Sequence, residues 1–366
     1  MKKLYIIPAI ICAVMLILNI AARLSTGFSD FYLMYIFPVV TVPMSFINGI
    51  FPFSVGEILI ILAILLVVTG IPLTIILLIF MKKARKTVLR VFSLSVLWIF
   101  TYIFTTETLN CFIMYQCTPF SERYFDSDDE HSREELIELY EYLITESNKL
   151  AEEVSRDEQG YFILSDDIDS NAKEAMKTAS QDYPMLSGYY PDAKPVMSSY
   201  FMSQSGTLGI YFPFSMESNY NTDMCEINLP NTVCHEYAHL KGVIQEDEAG
   251  FIAFIASSQS DSADFRYSGF LNALEYVNND IWENEVEEAY ELSAQISPKV
   301  MMDWYRFLPE TYWEENEEKE IISTETVDAV SDAATDTTLK MNGVEDGIDS
   351  YSRIVNLLLD YYAAIK

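Results

Sequence analysis

Val233-Cys234-His235-Glu236-Tyr237-Ala238-His239-Leu240 holds two of the chain's three histidines, four residues apart. On an α-helix, positions i and i+4 share a face, so both imidazoles can reach one metal ion. Glu236 projects beside them, where a carboxylate can take a proton from an activated water. His-Glu-x-x-His is the spacing that zinc peptidases use for this purpose. Two histidines on a solvated helix face are the plain alternative. Finding two of only three histidines in this one spacing weighs against it.

A catalytic zinc takes three protein ligands and keeps one position open, so a third ligand is needed. The chain continues Lys241-Gly242-Val243-Ile244-Gln245-Glu246-Asp247-Glu248-Ala249-Gly250-Phe251-Ile252-Ala253-Phe254. Gly242 can end the first helix in a left-handed conformation and turn the chain back. Glu246 then opens a second helix whose same-face neighbours, Ala249, Gly250 and Ala253, are small enough for close helix approach. That approach would carry the Glu246 carboxylate to the metal. Glu248 lies about 200° round the same helix, so only one of the two can point inward. Glu246 is the expected third ligand and Glu248 the reserve. The alternative role for this acidic run is to complement the helix N-terminal dipole. A third histidine at HExxHxxGxxH would serve a different class of site, but Gln245 stands there, and Gln is a poor zinc ligand.

Charge divides the chain. Residues 1–114 carry eight Lys/Arg and three Asp/Glu, a net of +5, so the remainder carries −36 of the total −31. A region that acidic repels phosphates, which excludes nucleic acid as a partner. The first part reads as membrane. Runs at about 4–22 and 58–80, both uncharged, and at about 91–114, with Glu107 near its far end, are each long enough to cross a ~30 Å hydrocarbon core. Lys2, Lys3 and the basic loop Lys82–Lys86 belong on the cytoplasmic side, which places 115–366 outside. The segment 31–53 is also uncharged but carries Pro38, Pro43 and Pro52 with many aromatics, and is expected to be interfacial or re-entrant. Retention of the first span is expected over its removal as a signal peptide, because no clear cleavage site follows it. Four cysteines, Cys111, Cys117, Cys225 and Cys234, fall on the outer side without a framework spacing, and Cys234 is expected in the core.

The outer region, 115–366, is expected to be helix-rich with a strand-like island. Leu136, Leu139, Tyr140, Leu143 and Leu150 mark a helix over 132–155, and 172–180, 267–279 and 284–297 read as further helices. Residues 313–338 read as a loose loop or an exposed helix, and 350–365 as an amphipathic helix. Residues 206–228 turn β-branched and aromatic and read as one or two strands ahead of the motif helix, with Asn231 or Thr232 as its cap. Zinc peptidases set an edge strand above the metal to align an extended substrate, and an ordinary hairpin is the other reading. Tyr267 and Tyr220 are candidate hydrogen-bond donors to the oxyanion, with packing as their alternative role.

The run His235-Glu236-Tyr237-Ala238-His239-Leu240-Lys241-Gly242, then Gln245-Glu246-Asp247-Glu248-Ala249-Gly250-Phe251, resembles the bacterial domain of unknown function 3810 family. Phe212-Pro213-Phe214-Ser215-Met216-Glu217-Ser218-Asn219, Tyr267-Ser268-Gly269-Phe270, Leu339-Lys340 and Asp346-Gly347-Ile348-Asp349-Ser350-Tyr351-Ser352 fit the same resemblance, which covers nearly the whole chain. It implies a membrane-anchored protein with a gluzincin-type site: His235, His239 and Glu246 as ligands, Glu236 as base. It supplies no substrate. Gly250 departs from the family's usual Asn at a position that could orient a metal-binding histidine.

The expected fold is therefore an α-helical membrane anchor of three transmembrane helices. It carries an α+β, mostly helical zincin-like domain on the outer face of the cytoplasmic membrane. The expected function is zinc-dependent hydrolysis of a peptide or protein substrate beside the lipid bilayer. The alternatives are a non-enzymatic receptor or sensor on the same scaffold and a structural zinc site. An intact base at Glu236 argues against both, since neither needs one.

Overall fold

The computed structural model describes residues 3–125, 131–307, 312–313, 316–345, 347 and 353–366. The stretch Asp346–Ser352 lies, Gly347 apart, outside these residues. The chain is mostly helical and forms two compact units. One comprises the chain up to Cys117 together with Phe212–Glu217; the other comprises Thr118–Tyr211 and Ser218–Lys366.

The first unit contains α1 (Lys3–Leu24), α2 (Thr26–Gly49), α3 (Val55–Phe80) and α4 (Arg85–Gln116). All four are long and apolar enough to cross a membrane, where the sequence predicts three such helices. The difference is the segment 31–53, expected from its prolines and aromatics to be interfacial or re-entrant. It lies mostly inside α2, which takes in Pro38 and Pro43, while Pro52 follows the end of the helix. A π-helical turn at Tyr32–Ile36 precedes Pro38, and a wide turn accommodates the missing N–H that would break a regular helix. The same device, Leu66–Gly70, precedes Pro72 in α3.

Polar contacts fix how these helices run. Tyr5 Oη meets Ser93 Oγ at 3.0 Å, and Asn19 Nδ2 donates to Thr108 Oγ1 at 2.8 Å, so α1 and α4 are parallel. The basic residues before α4 and Lys3 of α1 therefore lie at the same end. Near the other end of α4, Tyr32 of α2 donates to Leu109 O at 3.0 Å. Asn48, in the last turn of α2, donates to Ser215 O at 2.6 Å, and Asn110 of α4 donates to Pro213 O at 2.6 Å. Glu217 accepts from the backbone N–H groups of Val55 at 3.0 Å and Gly56 at 2.7 Å, capping α3. A carboxylate there satisfies orphan donors and meets the positive end of the helix dipole.

In the second unit, α5 (Arg133–Leu150) starts with a capping box formed by Ser132 and Glu135 and buries Leu136, Leu139, Tyr140, Leu143 and Leu150, the predicted stripe. It packs on α9 (Ala263–Glu283), a helix longer than the predicted 267–279. The longer of its other helices are α6 (Ile168–Ala179), α7 (Leu229–Leu240), α8 (Glu246–Ser258), α10 (Pro298–Phe307), α11 (Thr324–Met341) and α12 (Ile354–Ile365). The strand-like island is a hairpin of β2 (Gly209–Phe212) and β3 (Glu217–Tyr220). A two-residue strand β1 (Lys194–Pro195) pairs in parallel with β3, giving the order β1-β3-β2 and leaving β2 at an edge. No disulfide joins the five cysteines, and Cys234 is fully buried, as its helix position predicts.

Candidate metal centre

Helices α7 and α8 make the site, and the turn joining them explains its geometry. Pro230 sits in the first turn of α7, where a missing N–H is harmless; the helix starts earlier than predicted, with Asn228 rather than Asn231 or Thr232 at its cap. At the other end Gly242 takes φ +85°, its N–H bonds to His239 O at 2.9 Å, and Val243 N–H bonds to Ala238 O at 3.2 Å. These two bonds define the Schellman ending that a left-handed glycine permits. The turn does more than reverse the chain. It aims the Val243 carbonyl at His239 Nδ1, 2.7 Å away, so the ring donates there and presents its Nε2 lone pair on the opposite side.

Helix α8 then opens at Glu246, as the sequence predicts. Its first residues pack against α7, with Ala249, Gly250 and Ala253 all buried. Glu246 Oε2 stands 3.0 Å from His235 Nε2 and 3.6 Å from His239 Nε2. One ligand atom from each of the three residues lies within 4.8 Å of the others, and among the described residues this is the one such cluster of three. Tetrahedral ligands about 2.05 Å from zinc lie about 3.3 Å apart, so the observed separations bracket what a zinc ion needs. The donor set, two imidazoles and a carboxylate, fits that ion.

The charges respond to one another. Burial favours the neutral ring at His239, but Glu246, aided by Glu236 and the Val243 carbonyl, pushes it up to about 9. Burial pulls His235 down despite its hydrogen bond with Glu246. Burial opposes the charge on Glu246 as well, yet the two histidines outweigh it and hold that carboxyl well below the usual range. Glu236 is different. Only 4 % exposed, it is pushed up to about 8 by burial, and its Oε2 has no hydrogen-bond partner among the described residues. A buried carboxylate oxygen left free beside a metal-type cluster is what a proton acceptor requires.

The family model for "Protein of unknown function (DUF3810)" matches residues 32–359. The chain belongs to that family. Neither curated proteins nor solved structures provide a match. In this DUF3810 chain an ideal Cβ built on Gly250 would stand 4.0 Å from His235 Nδ1 and 2.9 Å from Ile354 Cδ1. A side chain at 250 would therefore lie beside the ring, and here Ile354 of α12 takes up that space.

Three sequence candidates lie elsewhere. Glu248, the reserve ligand, points away from the cluster and accepts from Ser121 N–H at 2.9 Å and Ser121 Oγ at 2.6 Å. It caps the short helix Phe120–Tyr124. Tyr267 donates to Asp303 Oδ2 at 2.7 Å, and the same carboxylate holds Arg156 at 2.8 Å, so this tyrosine is committed to a buried ion-pair network. Tyr220 lies at the end of β3, where its carbonyl accepts from Val196 N–H at 3.1 Å, and burial, with Asp169, pushes its hydroxyl up.

Two residues near the site were not singled out by their sequence. The Tyr211 ring lies 5.7 Å from that of His239, and Gly209 stands directly against Glu236. Gly209 did leave a signal. A glycine inside the strand pattern Leu208-Gly209-Ile210-Tyr211 marks a close approach by another group.

Proposed function

We propose that this protein is a membrane-anchored, zinc-dependent peptidase of gluzincin type, built on a zincin-like domain and facing the outside of the cytoplasmic membrane. The observation that carries the reading is the convergence of His235 Nε2, His239 Nε2 and Glu246 Oε2 beside Glu236, whose Oε2 has no hydrogen-bond partner among the described residues. Zinc held by those three residues would supply Lewis acidity and lower the pKa of a water toward ~7. Glu236 would accept a proton from the attacking water and return it to the leaving amine. Edge strand β2 lies against α7 through Gly209 and Tyr211, and offers backbone groups to an extended peptide. In this reading α1, α3 and α4 cross the membrane and α2 does not, in keeping with the parallel run of α1 and α4, so with the basic loop Lys82–Lys86 cytoplasmic the chain after Gln116 lies outside. A peptide or protein substrate at that membrane face is the expected partner.

The test uses the full chain in detergent or nanodiscs, because Phe212–Glu217 packs with the membrane unit. One zinc per chain and chelator-sensitive cleavage in a peptide library are expected. Glu236→Gln should retain zinc and lose turnover by about 100-fold or more. If folded, zinc-loaded protein cleaves nothing in peptide and cell-surface protein screens, the receptor reading replaces this one.

A further inference from the structure

The face of β2 turned toward α7 alternates as a strand must. Gly209 meets Glu236, and two residues later Tyr211 meets His239. At Gly209 the approach is closer than any side chain permits. An ideal Cβ there would stand 2.4 Å from Glu236 Oε1, 2.8 Å from Glu236 Cγ and 2.8 Å from Thr232 Cγ2. The strand is not free to back away. On the side of β3, buried Asn219 donates to Ile210 O at 3.1 Å, and Asn221 donates its backbone N–H to Leu208 O at 2.8 Å and its amide to Thr207 O at 3.1 Å. A one-residue slip would bring Leu208 or Ile210 onto the carboxylate instead.

We propose that Gly209 is a positioning residue for Glu236. The missing side chain lets β2 close directly on one carboxylate oxygen, Oε1, and this contact fixes the rotamer that leaves Oε2 as the proton-accepting atom. The inference rests on the peptidase reading for its functional consequence, but not for its geometry. Restoring ordinary contact with a Cβ requires the carboxylate to move by about 1 Å, and a displacement of that size costs about 100-fold in turnover.

The experiment compares Gly209→Ala, Glu236→Asp, Glu236→Ala, Thr232→Ser and their combinations with Gly209→Ala, all in the full chain. Gly209→Ala should keep one zinc per chain and lower kcat about 100-fold with KM little changed. Glu236→Asp, whose carboxylate is one methylene shorter, should reduce that penalty when the two changes are combined. Melting temperatures supply a readout without catalysis: the loss caused by Gly209→Ala should shrink in the Glu236→Ala background, the mark of two groups in direct contact. Penalties that add in that background, or that are relieved by Thr232→Ser alone, would overturn the proposal, since the glycine would then serve only packing against Thr232. A wild-type protein that cleaves nothing refutes the peptidase reading by itself. The thermal cycle would still decide whether Gly209 positions Glu236.

Discussion

Glu246 and Glu248 sit two residues apart on one helix, and exchanging each should produce opposite defects. Glu246→Gln keeps the shape but removes the anionic oxygen that faces both histidines at 3.0 and 3.6 Å. Losing a residue that merely supports a metal ligand weakens binding by roughly 10–100-fold, so losing the ligand itself should exceed about 100-fold. The fold should persist in chelator at neutral pH, because His239 can shed its proton once the neighbouring carboxylate is gone. Glu248→Ala should do the reverse. It leaves two buried donors of Ser121, the backbone N–H and the hydroxyl, without their acceptor. Each orphaned donor costs about 1–3 kcal/mol, so a loss of roughly 3 kcal/mol is a fair expectation. In a domain of this size that lowers the melting temperature by about 6–12 °C. Competition titration with a zinc chelator and thermal melts in EDTA read the two effects separately. Zinc lost from Glu248→Ala and retained by Glu246→Gln would refute the assignment of both residues.

Zinc must displace the proton that Glu246 stabilises on His239, so affinity should fall about tenfold per unit as pH drops below about 9. Equal affinities at pH 6 and pH 8 would contradict this. The raised His239 value also stabilises the metal-free protein, fully below about 6.5, and that contribution should disappear as pH rises toward about 9. Denaturant melts in EDTA across this range check the sign. Tyr267→Phe removes one hydrogen bond to Asp303 and should cost about 1 kcal/mol while zinc content and turnover stay unchanged; a selective loss of turnover would return Tyr267 to the catalytic set. Glu217→Ala strips the acceptor from Val55 N–H and Gly56 N–H and should destabilise the membrane unit by roughly 1–3 kcal/mol, read from melts in detergent.

What the sequence determined by itself about this protein is short in range. The i, i+4 spacing of His235 and His239, the Gly242 turn, the opening of α8 at Glu246 and the small face at Ala249, Gly250 and Ala253 all lie within about twenty residues. Helix periodicity and glycine chemistry govern such a stretch, so its geometry can be written from residue types. The apolar runs were legible for the same reason, as counts of residues against bilayer thickness. Only the tertiary structure decided the rest. It commits Tyr267 to Asp303, a residue 36 positions away, and Glu248 to Ser121, 127 positions away. It makes α2 a helix through its proline-bearing segment, by way of a π turn that no periodicity announces. Above all it sets Gly209 against Glu236. A strand's register on a helix from another part of the chain is chosen by packing and hydrogen bonding with β3, and no local pattern at either residue encodes that distance.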